Sequence, residues 1–164
     1  MLDRIVNLLA MLAGALLCLL IALICLDVFA RNFKLFAIPW SLEVAEMMLY
    51  GMTFAGAPWV LNTGGHIAID LLAGRLNPGA ARILARATYI VGLLVSAVLL
   101  YYSVSVVLRF MAQGQMAYGA LIFPKWWVYT PAPVTFLLMA LIFLRWALDP
   151  EAAERAKLKN ADGF

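Results

Sequence analysis

The sequence predicts an all-α integral membrane protein with four transmembrane helices and both termini in the cytoplasm. Three observations carry this. Residues 5–26, 47–69, 87–108 and 126–144 contain no Asp, Glu, Lys or Arg, and about 20 mostly apolar residues suffice to cross a bilayer. The chain is 66% hydrophobic over 164 residues with a mean hydropathy of +0.95, whereas soluble domains are about 45–50% apolar. A chain of this size has no room to bury the excess, so lipid must solvate it. The third observation is the distribution of basic residues. Arg4, then Arg75, Arg82 and Arg86, then Arg145, Arg155, Lys157 and Lys159 fall on one side of the predicted membrane. Arg31, Lys34, Arg109 and Lys125 fall on the other. The side richer in Lys and Arg is cytoplasmic by the positive-inside rule. Barrel strands would alternate apolar and polar residues, and these segments are apolar all round.

The elements follow in order. The apolar run from Ile5 is longer than the roughly 7–15 residues of a signal-peptide core, and no small-residue cleavage site follows it. The first helix is therefore expected to stay uncleaved, from Leu2 to Phe33. Asp27 and Arg31 stand at i and i+4 near its outer end, where they can face each other. Cys18 and Cys25 lie roughly 10 Å apart along the same helix, too far for a disulfide, and read as small apolar fillers. After the connection Asn32–Pro39, Trp40 supplies an interfacial aromatic and Ser41 an N-cap for the second helix. Glu43 and Glu46 follow in its first turns, where the helix dipole favours negative charge. Gly51 and Ala55 form a small-xxx-small pair, serving either another chain or a contact within this one.

Thr63-Gly64-Gly65 ends the second helix. His66 to Leu72 fits a short helix lying at the cytoplasmic interface. Asn77-Pro78 opens the third helix as N-cap and first-turn proline. That helix reaches Phe110 or beyond, and at about 50 Å it exceeds the hydrocarbon core of about 30 Å, so it must tilt or protrude. Gln113–Lys125 reads as a loop. The fourth helix begins among Trp126, Trp127 and Tyr129, an aromatic belt, with Pro131 and Pro133 in its first turns. Trp146 marks the inner interface. The expected spans are 5–30, 42–62, 82–110 and 127–147 in one domain, 1–148, followed by a charged cytoplasmic tail, 149–164.

The chemistry is sparse. With one histidine the chain lacks the pair that a bis-histidine haem needs. No nucleophile–histidine–acid set lies in the spans and no glycine-rich phosphate loop occurs. The reading is a non-enzymatic protein with no cofactor and no metal. The net charge of +3 describes membrane topology and not nucleic acid binding. The candidate partner-interface or structural residues are Arg31, Trp40, Glu43, Glu46, His66 and Asp70. His66 reads as a loop histidine beside Asp70. Glu43 and Glu46 read first as capping and interface groups. The alternative makes one of them the coupling acid of an independent, oligomeric small transporter. A third reading is a membrane anchor for an enzyme complex.

Three stretches resemble a known family. They are Arg31-Asn32 with Ile38-Pro39-Trp40-Ser41 and Glu43; Gly64-Gly65-His66-Ile67 with Asp70-Leu71-Leu72; and Pro124, Trp126, Tyr129 and Pro131. In this order they are similar to the small membrane subunit of tripartite ATP-independent periplasmic (TRAP) transporters. Leu42 stands where that family's Pro-Trp-Ser-Glu-Glu pattern has its first acid, and Glu43 fits the second. The resemblance implies a bacterial inner-membrane, multi-pass scaffold subunit. Its partners would be a large permease subunit that moves the solute on an ion gradient, a periplasmic solute-binding protein that delivers it transiently, and membrane lipids. The solute would be an organic acid.

Overall fold

Long apolar stretches with strong helix formers produce the helices, and the glycines and prolines between them set the breaks. The structure is a computed structural model and describes residues 2–34, 36, 38–64 and 78–149. His66, Asp70, the expected interfacial helix and the tail beyond Asp149 lie outside the described residues. The elements are α1 (Leu2–Asn32), α2 (Ser41–Gly64), α3 (Pro78–Ala112), β1 (Met116–Ala117), β2 (Phe123–Pro124), α4 (Lys125–Tyr129) and α5 (Pro131–Leu148). The main helix packings run α1 on α2, α2 on α5 and α5 on α3, which makes α1 and α3 the outer members of the row.

Among the described residues, three stretches are long and apolar enough to cross a membrane: Leu2–Asn32, Ile83–Ala112 and Lys125–Leu148. The expectation was four. Helix α2 has 24 residues, about 36 Å, which suffices in length. Its apolar character is diluted by Tyr50, Gly51, Thr53, Gly56, Pro58 and Trp59. Helix α1 ends with Lys34 in the left-handed region at φ 53°, its N–H donating to the Arg31 carbonyl.

Two departures from the expected elements have local causes. The 113–125 connection was expected as a loop in an all-α chain, but it folds into a minimal antiparallel hairpin. Met116 pairs with Pro124 and Ala117 with Phe123. Gly114, at φ 58°, turns the chain out of α3 into β1, a conformation that glycine adopts without strain. The last helix is also divided. Thr130 keeps helical angles and its N–H donates to the Trp126 carbonyl at 3.1 Å. Pro131 and Pro133 have no N–H to continue the ladder, so α4 gives way to α5 with Pro131 at its start.

Proline also explains a contact between helices. Pro58, inside α2, cannot donate to the Phe54 carbonyl one turn earlier. The Thr135 hydroxyl of α5 donates to that carbonyl at 2.6 Å, with Thr135 3% exposed. Hydroxyls on neighbouring helices are one way membrane proteins satisfy a carbonyl freed by proline. Thr135→Val keeps the shape and removes the donor. It should lower the stability of the purified chain in detergent by about 1–2 kcal/mol, read as a lower unfolding midpoint, and Thr135→Ser should restore most of it.

The core gathers at the end of the bundle where α1 begins and α5 ends. Val6, Leu61, Ile142, Phe143 and Trp146 form it, with Tyr89 and Leu93 of α3 packed against it. Trp146 was expected at the membrane interface. Within the bundle it is 2% exposed, with ring centroids 5.5 Å from Tyr89 and 6.0 Å from Phe143. Its spacing from Met139, Ile142 and Phe143 puts it on the same helix face, and that face is turned inward. Gly92 lets α3 approach this core: a Cβ there would lie 2.6 Å from the Phe143 ring. The small residues of α2 face α1. A Cβ at Gly51 would stand 3.6 Å from Leu16, and one at Gly56 3.8 Å from Ala13. This face of α2 packs within the chain.

Candidate functional site

A cluster of polar groups lies where α2 begins, beside the hairpin. The first backbone bond of α2 runs from the Val44 N–H to the Trp40 carbonyl at 3.1 Å. Trp40 therefore stands at the cap, one residue before the expected Ser41, which is buried in the first turn. Helix ends assigned by pattern shift by such a residue. Trp40 is 40% exposed.

Glu43 lies in this first turn. Its Oε1 accepts the Ala120 N–H at 2.6 Å and its Oε2 accepts the Leu121 N–H at 2.9 Å. Two successive backbone N–H groups pointing at one anion form a small concave nest, and bonds to a carboxylate are stronger than neutral ones. A Cβ on Gly119 would overlap the Glu43 carboxylate, so the absence of a side chain there is what allows the approach. The pair joins the start of α2 to the tip of the hairpin, 77 residues away in sequence.

Glu46, three residues on, is exposed. With Glu43, Tyr50, Tyr118, Lys125 and Tyr129 it lines a pocket of about 380 Å³ between α2, the hairpin and α4. The Tyr50 and Tyr129 rings meet edge-on at 5.7 Å, and Phe110 of α3 packs on Tyr129 at 5.0 Å. Among the described residues Glu46 has no ion-pair partner.

Arg31 belongs to a different pair. Its guanidinium donates to Asp27 at 2.5 Å across one turn of α1. Asp27 is 7% exposed, and its second oxygen has no hydrogen bond among the described residues. Of the six residues singled out in the sequence, the structure brings Glu43 and Glu46 to one pocket. Trp40 stands at the start of the same helix, and Arg31 is paired with Asp27. No group of three His, Cys, Asp or Glu side chains that could hold a metal occurs among the described residues.

Sequence reasoning missed Gly119, the Ala120 and Leu121 N–H groups and Thr135. Pro58 signals a freed carbonyl at Phe54, but no sequence pattern tells which hydroxyl reaches it. The nest is formed of backbone and leaves no side-chain signature.

A family model described as "Tripartite ATP-independent periplasmic transporters, DctQ component" matches residues 20–150. The chain belongs to this family. It is a TRAP transporter small permease, a membrane protein of a transport system. A curated relative, the ectoine TRAP transporter small permease protein TeaB of Halomonas elongata, is 30% identical over 124 residues, covering 74% of this chain. The chain spans 64% of the length of that relative. The region matched by the family model holds the start of α2, the hairpin and Thr135 alike.

Proposed function

We propose that this small permease is a non-catalytic scaffold subunit that associates in the bacterial inner membrane with a large TRAP permease subunit. The large subunit moves the solute on an ion gradient, as a symporter, after a periplasmic binding protein delivers it. The observation that carries this reading is the surface of the helices. Leu8, Met11, Val28, Ile83, Leu94 and Val98 are each more than half exposed, and no charged side chain interrupts the middle of α1, α3 or α5. Such helices pack on lipid and protein but offer little to bind a polar solute in the bilayer. The proposed topology is multi-pass, with α2 as a fourth span and both termini cytoplasmic. This places Glu43 and the hairpin on the periplasmic side, and the basic residue distribution supports it. The solute is proposed to be an organic acid chosen by the other two components. The name of the relative TeaB points to ectoine for that protein.

Arg31, Trp40, Glu43, Glu46, His66 and Asp70 are proposed to act in assembly and helix placement. Purification in mild detergent from the native membrane should recover a large many-helix permease in fixed ratio. Reconstituted uptake should require both chains. Alanine at Trp40, Glu43, His66 or Asp70 should lower the recovered complex or the uptake. Full uptake by the large subunit alone would refute the requirement. Recovery of this chain only as a homo-oligomer would favour the independent transporter, and a Glu46→Gln variant would then test the coupling acid. A co-purifying soluble catalytic partner would instead identify an enzyme anchor.

A further inference from the structure

The two outer helices present different chemistry to their surroundings. Between Val6 and Leu26, α1 exposes Leu8 at 65%, Met11 at 73% and Leu12 at 51%, with no charged group. On α3, Tyr101 is 70% and Tyr102 62% exposed, their rings in edge contact at 5.6 Å. Arg109, exposed in the last turn of the same helix, has no carboxylate partner among the described residues. Tyr102 and Arg109 are seven residues apart and so lie on one face, about 10 Å apart along the axis.

The nearby hydroxyls of α3 are satisfied: Ser103 donates to the Leu100 carbonyl at 2.9 Å and Ser105 to the Tyr101 carbonyl at 2.8 Å. A phenol is too long to bond its own helix in this way. Among the described residues neither tyrosine hydroxyl donates a hydrogen bond. Helical side chains lean toward the N-terminus of their helix. On α3 that direction runs away from the hairpin end and into the apolar stretch, so the phenols do not reach back to the near interface. Lipid tails have no acceptor for them, and an exposed polar group in hydrocarbon is costly. Polar groups inside a membrane accordingly face protein or water.

We propose that the hairpin-side half of α3, through Tyr101, Tyr102 and Arg109, is the face on which the large permease subunit docks, and that α1 faces lipid. The matching surface of that subunit must supply two hydrogen-bond acceptors within the bilayer and a carboxylate near its edge. This assignment rests on the scaffold reading above.

The test uses the intact transporter in native membranes. A photoreactive benzoylphenylalanine replaces Tyr102 in one variant and Leu12 in another. Illumination should link the large permease to position 102 at least ten-fold more than to position 12. In parallel, Arg109→Glu should cut co-purified permease at least ten-fold while the unfolding midpoint of the purified chain stays near wild type. Equal crosslinking at both positions, stronger crosslinking at position 12, or full recovery by Arg109→Glu would overturn the face assignment. Failure of the wild-type chain to recover any permease would overturn the scaffold reading itself, and so is distinguishable.

Discussion

Replacing Gly119 with alanine should release the hairpin from α2. The new Cβ would occupy the place of the Glu43 carboxylate, and the carboxylate, at the end of a flexible side chain, would swing away. The expected loss is that of its bonds to the Ala120 and Leu121 N–H groups. Hydrogen bonds to charged groups contribute about 1.5–3 kcal/mol, and partial exposure at this site puts the loss at the lower end of that range. Glu43→Ala should produce the same loss by another route. Because both changes remove one interaction, they should not add. Gly119→Ala in a Glu43→Ala background should be close to neutral. Amide hydrogen exchange over residues 116–124 should accelerate in either single variant and no further in the double. Additive losses would show that Gly119 serves some other contact.

The second large effect is expected at Gly92. An alanine Cβ would stand 2.6–2.8 Å from three atoms of the Phe143 ring. That ring is 4% exposed and held edge-on against Trp146, so it has little room to retreat. Overpacking of this kind costs about 1–3 kcal/mol, and Gly92→Leu should exceed it by forcing α3 away from α5. The unfolding midpoint of the purified chain in detergent measures the loss. A smaller partner should rescue it: Phe143→Leu combined with Gly92→Ala should be more stable than the sum of the two single effects predicts. Absence of rescue would mean that the glycine matters to the α3 backbone and not to this contact.

The two glycines act in opposite ways. At Gly92 the absent side chain admits an aromatic ring and closes the apolar core where α1 begins and α5 ends. At Gly119 it admits a carboxylate and closes a polar contact at the other end. Thr135 lies between them along the bundle and satisfies the carbonyl that Pro58 leaves free. The chain thus ties its helices together at three levels: a carboxylate held by backbone N–H groups at the hairpin, a hydroxyl on a freed carbonyl at Thr135, and an apolar core flanked by the Arg145–Asp3 ion pair where α1 begins and α5 ends.

Much of this protein is legible in the residues themselves. Helix-length stretches without charge require a membrane, and proline and glycine set where helices start and break. The Asp27–Arg31 pair follows from i, i+4 spacing on one helix. These are local consequences of backbone chemistry and solvent. The tertiary structure alone decided which faces meet. Helices apolar on every side show no preferred face, so the inward turn of Trp146 could not be read from its position near a helix end. Glu43 finds its donors 77 and 78 residues away, and Thr135 its acceptor 81 residues away. In each case at least one member is a backbone group, which every residue carries and which only the fold can bring within reach.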